Sequence, residues 1–180
     1  DAVQARSQLL PATTRPVIVL PSYNGARKLP VLTPLLALLL AREGFAVLLH
    51  GMRTEARRVL ASEVLQRLEV PAWGQMQPLA VGQVAHVATE VLHPGLARLL
   101  AVRQVLGLRT PGHSLVKLRA PCAGPAVLVG SYTHPEYSVL WRVVLVARQM
   151  TGLFSRGLEV EVVCDPRRQP RYDVVWQGQA

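Results

Sequence analysis

Short apolar runs that alternate with longer helical patterns constrain this chain more than any other feature. Val17-Ile18-Val19-Leu20 is the first strand candidate. A polar loop follows, Pro21-Ser22-Tyr23-Asn24-Gly25-Ala26-Arg27-Lys28. Thr33-Pro34 then opens a helix, with an N-cap hydroxyl and a proline at the first helical position, and Gly44 closes it. Phe45 to Leu49 is continuously apolar, as expected of a strand covered on both faces, and ends at His50-Gly51. The spacing next predicts a helix over 55–68, a connector over 71–78, a strand over 84–91 whose poor alternation also allows a helical start, and a helix over 94–106 stopped by Gly107. A strand over 126–129, a helix over 135–150 and short strands in 151–180 complete the reading. Such strand and helix units build an α/β fold with a mostly parallel central sheet flanked by helices. Residues 16–180 are expected to form the domain, and residues 1–15 a linker or N-terminal remnant.

A chain of 180 residues suits one core. With half its residues hydrophobic and 17% charged, it is too apolar for a disordered tail. The longest apolar run, Leu35 to Ala41, falls far below the ~20 residues a bilayer requires, so no membrane role is expected. Cys122 and Cys164 stand alone, which argues against a zinc site or a disulfide framework. Asp1 to Leu10 lacks an apolar signal segment, and a reducing cytoplasm is the expected location. Lys and Arg number 20 against 11 for Asp and Glu, a net charge of +9. That excess calls for an anionic partner, nucleic acid ahead of a membrane surface, because no basic amphipathic helix with an aromatic face is present.

Parallel sheets bind ligands beyond the carboxyl ends of their strands, which directs attention to the first loop. Backbone N–H groups at Asn24-Gly25, beside Arg27 and Lys28, suit a phosphate, although the loop is neither a Walker A nor a GxGxxG motif. Of the 20 basic residues 18 are Arg, and Arg27, Lys28, Arg53, Arg57, Arg58, Arg103, Arg109, Lys117 and Arg119 recur in the segments around that loop. A guanidinium fork pairs with phosphate oxygens and stays charged at every relevant pH. No recognition helix, zinc finger or aromatic stacking platform is readable, so binding independent of base sequence is the natural form. His93-Pro94 and His134-Pro135 read as helix starts, and Ser22, Ser62, Ser114 and Ser131 lack a nucleophile-elbow motif. Glu159 and Glu161 alternate as on one strand face; they are the candidate metal ligands, with a solvated strand edge as the plain alternative.

Several fragments occur in a telling order: Pro21 to Lys28, Leu32-Thr33-Pro34-Leu35-Leu36, His50-Gly51, Leu92-His93-Pro94, Arg103 with Leu106-Gly107-Leu108-Arg109-Thr110, and Tyr132-Thr133-His134-Pro135-Glu136. Together they resemble the large α/β domain of anthranilate phosphoribosyltransferase-like proteins, and within them the YbiB-type branch, over about Pro16 to Val175. The resemblance implies that a small N-terminal helical domain, which in relatives contributes to homodimer formation, is lacking here. It also implies a domain truncated at its C-terminus, and DNA as the partner, since members of that branch are known as DNA-binding proteins.

Carried across residue by residue, the resemblance implies an altered site. The enzymes' glycine-rich pyrophosphate loop corresponds to Pro21-Ser22-Tyr23-Asn24-Gly25, their sugar-diphosphate segment to Val31-Leu32-Thr33-Pro34, and their Lys-His-Gly-Asn to Leu49-His50-Gly51-Met52. A substrate-side Asn aligns with His113, Arg103 retains its place facing an aromatic carboxylate, and the acidic pair that recruits Mg²⁺ has only displaced equivalents in Glu159 and Glu161. Losing one preorganised donor can cost ~3 kcal/mol in transition-state stabilisation, so turnover of the usual substrates is not expected. The expected function is sequence-independent DNA binding without a cofactor, through phosphate contacts by Asn24, Gly25, Arg27, Lys28, Arg53, Arg57, Arg58, Arg103 and Lys117. The rival is phosphoribosyl transfer from phosphoribosyl diphosphate, using Asn24, Thr33, His50, Gly51, Arg103 and His113 with Mg²⁺.

Overall fold

The computed structural model describes residues 6–157, 159, 161–165, 167 and 169–180. Seven strands form one sheet in the order β3-β4-β2-β1-β5-β6-β7. They are β1 (Val17–Pro21), β2 (Ala46–Gly51), β3 (Ala72–Trp73), β4 (Val84–Ala88), β5 (Ala126–Tyr132), β6 (Thr151–Arg156) and β7 (Tyr172–Val175). All neighbours pair in parallel except β6 and β7, which run antiparallel. The helices are α1 (Thr33–Arg42), α2 (Ala61–Arg67), α3 (Thr89–Leu92), α4 (Pro94–Leu106), α5 (Gly112–Leu115) and α6 (Glu136–Ala147), with a 3-10 turn at Val116–Leu118.

Strand alternation sorts the core into two layers. Val17 and Val19 point to one face, with Leu48, Val87, Leu128, Trp141 of α6 and Phe154. Ile18 and Leu20 point to the other, against Ala37 and Ala41 of α1 and Ala61 and Leu65 of α2. Both faces of the central strands are thus dry, which is why β1 and β2 read as unbroken apolar runs. Small alanines on α1 and α2 let those helices approach the sheet closely. Residues ahead of β1 also pack on the domain: Leu10 is buried in the first layer and bridges to Cys122.

Several boundaries differ from the sequence reading for local reasons. The helix expected over 55–68 begins only at Ala61, because 55–60 forms a turn that sets Val59 in a bridge with Ala26. Glu63 accepts from the Leu60 N–H at 2.8 Å and starts that helix. The strand expected over 84–91 ends at Ala88 and passes straight into α3. The 71–78 connector contains the two-residue edge strand β3. Leu32 rather than Thr33 occupies the cap of α1, and the Thr33 hydroxyl bonds elsewhere. His93 does start α4, its Nδ1 accepting from the Leu96 N–H at 3.0 Å.

Candidate anion site at the carboxyl ends of the strands

The loop after β1 is shaped by two glycines. Gly25 has φ +61°, and a Cβ there would lie 2.3 Å from the Val59 carbonyl oxygen. Only glycine combines that dihedral with that approach. At the end of β2, a Cβ on Gly51 would lie 1.8 Å from the Ser22 carbonyl oxygen, so the loop rests directly on the backbone of the neighbouring strand.

The result is a concave array of donors, and the chain fills it itself. The turn after β6, closed by a bridge between Gly157 and Cys164, carries Glu159 and Glu161 back to the loop after β1, two strands away in the sheet. Buried Glu161 accepts from Ser22 Oγ at 2.7 Å, Asn24 N–H at 3.3 Å, Gly25 N–H at 2.8 Å and Thr33 Oγ1 at 2.9 Å. Glu159 accepts from the N–H groups of Arg27 at 2.9 Å, Lys28 at 3.3 Å and Leu29 at 3.4 Å. Burial raises the Glu159 carboxyl pKa, but these backbone donors outweigh it and the carboxyl is held below its usual range. A nest of N–H groups at Asn24-Gly25 is therefore present where the sequence suggested one, occupied by carboxylate.

Mg²⁺ does not fit these two glutamates as they stand. Their oxygens face N–H and O–H hydrogens, whose positive ends repel a cation. Among the described residues no group of three or more His, Cys, Asp or Glu is arranged to hold a metal.

The basic residues divide into two sets. Arg58 and Arg103 both turn inward to Glu55, at 3.1 and 3.0 Å, and Arg58 also donates to the Gly25 carbonyl. Burial raises the Glu55 pKa, yet the two guanidiniums bring it below the usual value. Arg109 donates to Asn24 Oδ1, and Arg53 pairs with Glu63 at 2.6 Å. Lys117, in the 3-10 turn, is buried, and desolvation lowers its ammonium to about 7, against the pull of Glu161. Arg27, Lys28 and Arg57 instead lie exposed on the rim with no carboxylate side-chain partner among the described residues. Sequence reasoning missed Glu55, whose charge draws two of the arginines away from the surface. It also missed Arg156 and Arg171, which line a cleft of about 650 Å³ together with Lys28, Tyr132 and Glu159.

His50 and His113 are engaged in internal hydrogen bonds. His50 Nε2–H donates to the Arg119 carbonyl at 3.1 Å, which leaves Nδ1 to accept from the Tyr23 hydroxyl at 2.8 Å. The Tyr23 hydroxyl in turn accepts from Thr89 Oγ1. His113 Nδ1 accepts from the Thr110 N–H at 3.2 Å and so anchors a turn. His50 and Gly51 thus underlie the loop after β1, His113 holds the turn at Thr110, and Asn24, Gly25 and Thr33 belong to the nest itself.

No protein-family model matches the chain. Against individual proteins it is 37% identical over 176 residues to the uncharacterised protein YbiB of Escherichia coli K12, covering 93% of this chain and 54% of that protein. It is 28% identical over 166 residues to anthranilate phosphoribosyltransferase of Thermus thermophilus, covering 88% of this chain and 48% of the enzyme. The crystal structure of the Thermus thermophilus enzyme superposes with a TM-score of 0.72 at 23% identity, over 96% of this chain and 53% of that one. This chain is a homologue of YbiB with the anthranilate phosphoribosyltransferase fold. A Saccharomyces cerevisiae variant of the enzyme, in complex with 4-fluoroanthranilate, gives 0.60 at 14% identity, over 97% of this chain and 49% of that one. The chain spans about half the length of the curated relatives it matches. Among the described residues no helix is long and apolar enough to cross a membrane.

Proposed function

We propose that this domain binds nucleic acid through the phosphate backbone, without reading bases. The observation that carries the proposal is the set of exposed cations Arg27, Lys28 and Arg57, without carboxylate partners among the described residues, on the loops at the carboxyl ends of the strands in a chain of net charge +9. Arg156 and Arg171 continue that rim along the neighbouring cleft. The donors that would grip a free sugar diphosphate already hold Glu159 and Glu161, so an incoming phosphate meets side chains rather than the nest. Arg58, Arg103 and Lys117 support the rim as inward charges, a revision of the contact set expected from sequence. The resemblance to the YbiB-type branch points the same way.

A second reading, phosphoribosyl transfer, is favoured by one observation: Arg103 stands beside the loop after β2, against Thr54 and Glu55, in a fold shared with enzymes of that name. Titrating binding to short single- and double-stranded DNA against salt, beside an assay of phosphoribosyl diphosphate consumption with Mg²⁺, separates the two. Steep salt dependence without turnover supports nucleic-acid binding; turnover without DNA binding overturns it.

A further inference from the structure

Seven hydrogen-bond donors, six from the loop after β1 and one from Thr33 at the start of α1, converge on two carboxylates that lie two residues apart in one turn. Two carboxylates can accept about eight hydrogen bonds, so these donors nearly saturate the pair; backbone N–H groups gathered on one loop equally suit the oxygens of a diphosphate. We infer that Glu159 and Glu161 form an internal anion that occupies a nest of donors able to take a diphosphate and keeps it closed to free anions.

Three features support this beyond the donor count. Glu161 is 3% exposed, so its charge is held inside the site rather than at the surface. Backbone N–H groups supply five of the seven donors, and backbone donors cannot turn away to solvent when the carboxylate leaves. Lys117 is buried nearby, and Glu161 is the neighbour that favours its charged form, so the cavity is electrostatically set for a negative group. An intramolecular carboxylate pair also competes at high effective concentration, so a free anion must bind well to displace it. The turn bearing the pair is packed tightly at Gly157, where a Cβ would lie 2.3 Å from the Glu161 carbonyl oxygen and 2.4 Å from Ser131 Cβ. This inference stands independently of the nucleic-acid reading, since it concerns donors beneath the rim.

The test is calorimetric titration of the 180-residue chain with inorganic diphosphate, in parent and Glu159→Ala/Glu161→Ala forms, with circular dichroism to verify the fold. The folded double variant is expected to bind diphosphate at least ~10-fold more tightly than the parent, the tenfold that accompanies a difference of about 1.4 kcal/mol. Equal affinity in the two forms, or no binding by the folded variant, overturns the inference and leaves the glutamates as a structural staple. If the double variant does not fold, Glu161→Gln keeps the shape and removes one charge. Diphosphate should then shift the amide resonances of Asn24, Gly25 and Arg27 in that variant and not in the parent. Amides that stay in place in Glu161→Gln overturn the inference equally.

Discussion

His50 Nδ1 lies 2.8 Å from the Tyr23 hydroxyl, and the two rings meet edge to face with centroids 5.5 Å apart. This contact ties the end of β2 to the loop after β1, and it requires a neutral imidazole. Burial pushes the His50 pKa down to about 3 and that of His86 to about 4. An imidazole lowered in the fold keeps full stability above its unfolded value near 6.5 and loses it as pH falls, because only the unfolded chain takes up the proton. Urea unfolding midpoints should therefore drop between pH 6.5 and pH 4. His50→Gln should start lower at pH 7 and show a shallower decline.

Gly25→Ala tests the loop itself. An alanine must adopt φ +61° and meet the Val59 carbonyl at 2.3 Å. The dihedral alone costs ~1–3 kcal/mol, and relieving the clash means parting Ala26 from Val59. Thermal unfolding should reveal a loss at the upper end of that range or beyond. Gly44→Ala shares the positive φ but meets nothing within 4 Å, so its loss should be smaller.

The rim cations carry the binding prediction. Replacing Arg27, Lys28 and Arg57 together with Ala removes three charges that lack carboxylate partners among the described residues, so stability should change little. Each phosphate no longer engaged should flatten the plot of log affinity against log salt by roughly 0.9 on duplex or 0.7 on single strands. A drop in the measured slope of about two on single strands and nearly three on duplex is expected. Arg58→Ala should behave differently: it frees Glu55 from one of its two arginines and should lower stability as well as binding.

Lys117 is the charge that the fold tolerates least. Its ammonium falls to about 7 from an ordinary 10.5, with desolvation as the leading cause. A lysine lowered in this way favours the fold above its unfolded pKa, and that advantage is lost as pH drops from 10.5 to about 7, where the unfolded chain alone takes up the proton. Lys117→Met should accordingly stabilise the protein at pH 7, by at most about 5 kcal/mol on the scale of 1.36 kcal/mol per pH unit. The gain should shrink above pH 10, as chemical denaturation at the two pH values would reveal.

The sheet was legible because its central strands are apolar on both faces and punctuated by loops, a pattern that depends on local sequence alone. Gly25 and the Asn24 N–H were equally legible as turn and nest. What occupies the nest was not, since Glu161 lies 136 residues further along the chain from Gly25. The alternation in Glu159-x-Glu161 did signal two carboxylates on one side of a turn, but the direction they face depends on tertiary placement. The inward turn of Arg58 and Arg103 was hidden for a related reason: Glu55 sits in a stretch that reads as helix, whereas the Ala26–Val59 bridge pulls it into a loop.

The contact between Gly51 and the Ser22 carbonyl leaves no room for even a methyl group. The loop's course is thereby dictated by the strand beneath it and not by the side chains it displays. Exposed positions such as Arg27, Lys28 and Arg57 can then be exchanged without moving the chain that bears them. One scaffold can in this way acquire a new clientele by redecoration alone.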